Sequence, residues 1–340
     1  MNRTLKAIIV ALALIVFGAV LAGCGLMGLN GAWDQLTGKN NMLTNQQTIS
    51  EDFTNIDLEI SWLDVQLLPS DNDTCYYQAT TYESMPCTVS VENGTLKIFQ
   101  HDNRKFHEHI GIFWNDTILK LYLPKDAYET LTVTGRTSDL TVPANFRFHS
   151  VTVDNSTGDI EFDAQVEQNM NLTCSTGDIR ISGAALKNLS AHVSTGDIYI
   201  NNTTCDNLSA RTTTGDLFVK DSDVAGDLSL NSSTGSKLLS NVTCGSLNSR
   251  ATSGDLEMTN VIVSGSAVIT ANTGAVEFHG FDAASISITT STGDVEGTLL
   301  SGKVFSADTS TGDIRMPQST TGGLCEITTS SGDIDIKIAN

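Results

Sequence analysis

The sequence predicts an all-β fold: a parallel β-solenoid of about eleven 19–20-residue coils, with an irregular β cap and one N-terminal membrane segment. Three observations point to it. A Thr/Ser-Gly-Asp motif recurs through the second half of the chain, with glycines at 158, 177, 196, 215, 235, 254, 274, 293, 312 and 332, spaced 19 or 20 residues apart. Ser138 in "TSDL" extends the series backward to an eleventh unit. Apolar residues hold fixed places around each glycine: −7 (Val151, Met170, Leu189, Leu208), −5 (Val153, Leu172, Leu230, Ile269), +2 (Ile160, Ile179, Ile198, Leu217) and +4 (Phe162, Ile181, Ile200, Val219). Finally, a 19–20-residue unit leaves no room for a helix covering two parallel strands, so the units must stack on one another.

The parity of these positions explains the glycine. Successive side chains of a strand point to opposite faces, so −7 and −5 (odd) would oppose +2 and +4 (even) in an uninterrupted strand. A residue free to take positive φ turns a corner and sends both pairs to one interior. The Ser or Thr before it and the Asp after it are types that hydrogen-bond turn backbone. The structural corners are therefore Gly158/Asp159, Gly177/Asp178, Gly196/Asp197, Gly215/Asp216, Gly254/Asp255, Gly293/Asp294, Gly312/Asp313 and Gly332/Asp333. Two units depart from the motif. "STGSKLL" has Ser236 and Lys237, which predicts local distortion, and "NTGAVEF" has Ala275. A third inward column runs through Val166, Leu186, Cys205, Val224, Cys244, Val263 and Ala283, implying a triangular cross-section. Cys205 and Cys244 lie two coils apart, about 9.6 Å at the spacing of paired strands, too far for a disulfide.

Residues 1–30 read as a membrane anchor or a lipoprotein signal. Arg3 and Lys6 precede an apolar run that reaches "LAGC" at 21–24. "LAGC" resembles a bacterial lipobox, which would make Cys24 a lipid attachment site. The apolar run also continues to Leu29, long enough for an uncleaved span. Either way the rest of the chain lies outside the cytoplasm. Residues 31–50 read as a polar spacer, residues 51–130 as an irregular β capping region with a hairpin at "ENGT" (92–95), and residues 131–340 as the solenoid. Cys75 and Cys87 are close in sequence within the cap, and an extracytoplasmic location permits a disulfide between them.

The STGDI-type coils, the Ser61–Val65 opening "SWLDV" and the "NGTLKI" strand at 93–98 resemble the bacterial "putative adhesin" family of β-strand repeat proteins, over about residues 52–338. The resemblance implies a membrane-anchored, surface-exposed β-solenoid. The family is one of unknown biochemical function and brings no catalytic residues with it.

Composition narrows the function. Lys and Arg total 19 against 39 Asp and Glu, a formal charge of −20, which repels phosphate backbones and argues against a nucleic-acid partner. The corner aspartates are expected to form a ladder whose neighbours repel by roughly 0.9 kcal/mol in a water-like dielectric. Calcium could relieve that repulsion, but Ser236 and Ala275 lack the carboxylate, so no cofactor is required. His107 and His109 flank Glu108 in a charged loop that reads as solvated rather than metal-binding. No coil is lengthened to gather a catalytic site, and no metal or catalytic site is assigned. The reading is a non-enzymatic adhesin or envelope scaffold presenting Thr, Ser, Asn and Asp rows to a surface, glycan or protein ligand. Two rivals stand beside it: an envelope-stress or cationic-peptide binding module, and a polysaccharide-acting β-helix enzyme.

Overall fold

Every corner glycine turns the chain as its sequence position demands. In the computed structural model, which describes residues 42–104 and 116–339, Gly158, Gly177, Gly196, Gly215, Gly235, Gly254, Gly274, Gly293, Gly312 and Gly332 all have φ between +121° and +153°. The described residues contain no helix and form one 25-stranded sheet, wound into a parallel β-solenoid of about ten such turns. Coils stack in register. Met170 pairs with Leu189, Leu189 with Leu208 and Leu208 with Leu228, while on the far side of the corner Ile160, Ile179, Ile198 and Leu217 follow one another. All of these side chains are buried. Each contributes roughly 1.5–3 kcal/mol of apolar burial, so a turn's four inward positions outweigh any one hydrogen bond at its corner.

The third column is also in place. Leu186, Cys205, Val224, Cys244, Val263 and Ala283 pair in succession, with Val224 lying between the two cysteines. Burial pushes the Cys205 and Cys244 thiols up to about 12, and both are free, serving as small apolar fillers.

Two further corners close the triangle. Six residues past the glycine, Gly183, Asn202, Asp221, Asn241, Asn260 and Gly280 all have positive φ, from 47° to 72°. In these six coils only Gly, Asn or Asp occupies this place, the types that tolerate a left-handed backbone. Asn260 donates to Asn241 Oδ1 (3.1 Å) and Asn241 to Asp221 Oδ1 (2.7 Å), tying this corner across three coils. The third corner carries the length variation. The pairing slips between Cys205/Leu208 and Val224/Leu228, and again between Cys244/Leu247 and Val263/Ala267, so the extra residue of the 20-residue coils that end at Gly235 and Gly274 is absorbed there as a bulge.

Both ends are threaded out of order. Strand Asn55–Ile60 lies between Thr95–Gln100 and Ala127–Thr137, aligning Ile56 with Leu131 and Leu58 with Val133. Asp64–Pro69 likewise lies between Ile118–Leu123 and Leu140–Val142. The region expected to be irregular thus contains a rung of the solenoid, with Leu63 in the glycine's place. Outside it, Cys87–Glu92 pairs antiparallel with Thr95–Gln100 through the Asn93-Gly94 turn, forming the hairpin expected at "ENGT". Residues 42–49, expected to be spacer, form a strand antiparallel to Cys75–Tyr82. Only Ile49 of that strand is buried, so no alternation of apolar residues marked it. At the other end, Leu324–Ser331 inserts between Val276–Thr292 and Val304–Thr311, so the coil of Gly332 lies beneath that of Gly312. The apolar residues Cys325, Ile327, Ile334 and Ile336 are buried by this exchange, while Val304 and Ile314 of the outer rung stay exposed.

Cys75 and Cys87 are both free thiols: Cys75 opens a strand that pairs with Met42–Ile49 and Ile118–Leu123, and Cys87 one that pairs with Thr95–Gln100. Lys237 causes no distortion; it pairs in register with Leu217 and Leu256 and is itself buried. The membrane segment and Cys24 lie outside the described residues, among which no helix is long and apolar enough to cross a membrane.

Candidate interaction surface

At the glycine corner the backbone needs an acceptor that the neighbouring coil's main chain does not supply. The amides on either side of each Asp pair with the following coil: Gly177 N–H donates to Thr195 O (3.0 Å) and Ile179 N–H to Asp197 O (3.0 Å). The amide between them, that of Asp178, faces the preceding coil and donates to Asp159 Oδ1 at 2.8 Å. The same bond recurs from Asp197 to Asp178 (2.9 Å), Asp216 to Asp197 (2.8 Å) and Ser236 to Asp216 (2.7 Å). Beyond the two irregular coils it resumes from Asp333 to Asp294 and from Asp313 to Asp333, each at 2.8 Å, following the spatial order rather than the chain order. Asp255 serves Ala275 (2.8 Å), and at the other end Asp64 serves Asp139 (3.0 Å). Burial raises the Asp64 carboxyl above its usual range, with the nearby Asp139 and Asp116 charges adding to it.

The predicted corner residues are therefore brought together as one edge of stacked carboxylates, each except the outermost Asp313 with one oxygen committed to a backbone amide. Arg180 bridges Asp159 (3.3 Å) and Asp178 (2.6 Å), and Tyr199 donates to Asp197 Oδ2 (3.0 Å). The Arg180 guanidinium also lies over the Tyr199 ring, which stacks on Phe218 with centroids 4.7 Å apart. This outward row continues as Leu238, Glu257, Glu277 and Glu296.

A buried polar row inside the corner escaped the sequence reading. Three residues before the glycine, Cys174 and Thr212 donate to the carbonyls of Gly158 (3.3 Å) and Gly196 (3.1 Å) in the preceding coil, and Thr329 does the same to Gly293 (3.3 Å). The signal was the mixture of Cys, Thr, Ser and Ala at that position, which reads as noise without knowledge of the carbonyl it serves.

Among the described residues, no group of three His, Cys, Asp or Glu side chains is placed to hold a metal ion. His107, Glu108 and His109 lie outside the described residues, while His101 meets Thr88 Oγ1 at 3.0 Å. With one carboxylate oxygen already serving the backbone, the melting midpoint in calcium is expected to equal that in chelator; a rise of several degrees in calcium would contradict the backbone role. Asp197→Ala strips the acceptor from the Asp216 amide and is expected to cost about 1–2 kcal/mol. Asp197→Asn keeps an oxygen there and should stay within about 0.5 kcal/mol of the parent in urea unfolding.

The broad face before the corner is different in character. Its outward positions −6, −4 and −2 carry mostly Ser, Thr and Asn, for example Ser190, Ser209, Ser229 and Asn248, in continuous register.

The model of the Toastrack DUF4097 family matches residues 53–242 and again 226–340. No curated protein matches the chain. Among solved structures, a protein named "putative adhesin" from Parabacteroides merdae is 13% identical, covering 89% of this chain and 98% of its own, with a TM-score of 0.34. A "putative lipid binding protein" from Parabacteroides distasonis is 16% identical over 89% of this chain and 98% of its own, with a TM-score of 0.31. A "putative cell adhesion protein" from Clostridium sporogenes is 8% identical over 88% of this chain and 100% of its own, with a TM-score of 0.23.

Proposed function

Since the chain belongs to the Toastrack DUF4097 family, we propose that it is a non-enzymatic, extracytoplasmic solenoid, held at a membrane through residues 1–30, that binds a surface partner along its rows of repeated side chains. One observation carries this reading: the outward Ser, Thr and Asn rows stay in register coil after coil, with length differences absorbed at a corner rather than opened into a catalytic loop. Such rows offer many equivalent weak contacts, which suits an extended partner more than a small molecule. Photo-crosslinking groups placed at Ser209, Ser229 and Asn248 on intact cells are expected to capture a common partner. Capture that is equal from these sites and from the opposite +3 row would count against the face, and turnover of any bacterial or plant glycan would count against the non-enzymatic role.

A second reading has its own support. Glu257, Glu277 and Glu296 stack in one exposed row beside Asp255 and Asp294, a line of negative charge suited to cationic peptides. Polylysine binding that weakens steeply with salt and is lost on replacing those glutamates by glutamine would favour it.

A further inference from the structure

For a chain with a formal charge of −20, the face before the corner has an uneven charge distribution. Across the seven consecutive rungs that end at Gly177 through Gly293, positions −6, −4 and −2 contain no Asp or Glu; they run from Asn171, Thr173 and Ser175 to Ser287, Thr289 and Ser291. The charged side chains there are basic. Arg211 and Arg250 are both exposed at −4 and are separated by Asn231, with His192 one rung beyond Arg211. Arg180 and Arg315, on the other side of the corner, are paired with aspartates, whereas Arg211 and Arg250 have no ion pair among the described residues. A shallow groove of about 460 Å³ runs between them, lined also by Asn231, Thr252, Thr270 and Asn272.

We infer that this groove binds an acidic polysaccharide, with a carboxylate on alternate sugars meeting Arg211 and Arg250 and the intervening hydroxyl and amide rows bonding sugar hydroxyls. The inference rests on the surface-binding role proposed above and names the ligand class for one face. Two rungs place the guanidinium stems about 9.6 Å apart. An extended glycan charged on every second residue repeats at a comparable interval. Arginine's planar fork suits carboxylates, and Ser, Thr and Asn can both donate to and accept from hydroxyls. The overall negative charge does not cancel this attraction. Asp197 and Asp216 lie on the far side of the glycine corner from Arg211, each with one oxygen already accepting from a backbone amide, and salt screens their remaining charge.

The test is calorimetric binding of the intact chain to a hyaluronan decasaccharide, with a chitin hexasaccharide as the neutral glycan and polyglutamate as the acidic non-glycan. Hyaluronan is expected to bind more tightly than either. Arg211→Gln and Arg250→Gln should each weaken it by about tenfold, the loss of one charge-assisted fork. Arg315→Gln, an exposed arginine elsewhere, should leave binding unchanged, and unaltered melting curves will show that the variants fold. Equal affinity for chitin, or binding indifferent to both arginine changes, overturns the site. Polyglutamate binding as tightly and through the same arginines overturns the glycan assignment. If the site fails while crosslinking from the Ser209 row still captures a partner, the inference falls alone; if crosslinking captures nothing, the wider reading falls.

Discussion

Gly215→Ala is expected to destabilise the protein by about 4 kcal/mol or more, well above the typical cost of a single substitution. Two penalties add. Gly215 has φ of +140°, a backbone state that costs an L-residue about 1–3 kcal/mol. Its new Cβ would also lie 2.0 Å from the carbonyl oxygen of Gly196 in the coil below. That atom is backbone, held in register by strands on both sides of the corner, so it cannot swing away as a side chain could. Gly183 is the matched control. Its φ is +72° with open space around the Cβ position, and the next coil has Asn202 in the same place. Gly183→Asn should therefore cost less than about 1 kcal/mol. Urea unfolding of the two variants separates corner geometry from a general intolerance of lost glycine, and equal losses would contradict the close-approach explanation.

Lys237→Met is expected to do the opposite and stabilise the protein by about 3 kcal/mol at pH 7. Lys237 occupies the +2 column between Leu217 and Leu256 and is 2% exposed. Burial lowers its ammonium pKa from 10.5 to about 8. The folded state therefore releases this proton more readily than the unfolded state does. Below about pH 8 the lysine opposes folding in full, and the penalty fades as pH rises from there to 10.5, where the unfolded chain also loses its proton. Methionine matches the length of the stem without the charge. The stability difference between variant and parent should be largest at neutral pH and shrink across that interval; a constant difference would mean that packing, not charge, sets the effect.

How much of this was readable beforehand depends on which atoms do the work. The solenoid, its glycine corner and three inward columns follow from parity and spacing, because side-chain direction is fixed by strand geometry. The carboxylate edge was readable as a row, but not its purpose: that Asp159 accepts from the Asp178 amide depends on an amide facing backward at each corner, which no periodicity encodes. The second corner was visible as Asn202, Asp221, Asn241 and Asn260, yet those residues look like ordinary surface positions until their positive φ is known. Lys237 misled because a charged residue in an apolar column suggests disruption, whereas stacked neighbours on both sides hold the register and the lysine bears the cost. The exchanged order of the last two coils was beyond reach, since the coils of Gly312 and Gly332 have the same repeat and differ mainly in how well their apolar residues are covered. The unpaired Arg211 and Arg250 appear in the sequence as two scattered bases, and only stacking places them on one face.

Stacking order is open to direct measurement by pulsed electron-electron distances between nitroxide labels at the −6 position, placed singly against a reference label at Ser190. Successive register pairs put Ser287 five rungs from Ser190, Glu326 six and Ser306 seven. At about 4.8 Å per rung the distances should step from about 24 to 29 to 34 Å, with Glu326 nearer than Ser306 although it lies farther along the chain. Distances that fail to rise rung by rung, or that place Ser306 inside Glu326, would contradict the in-register solenoid or its exchanged end.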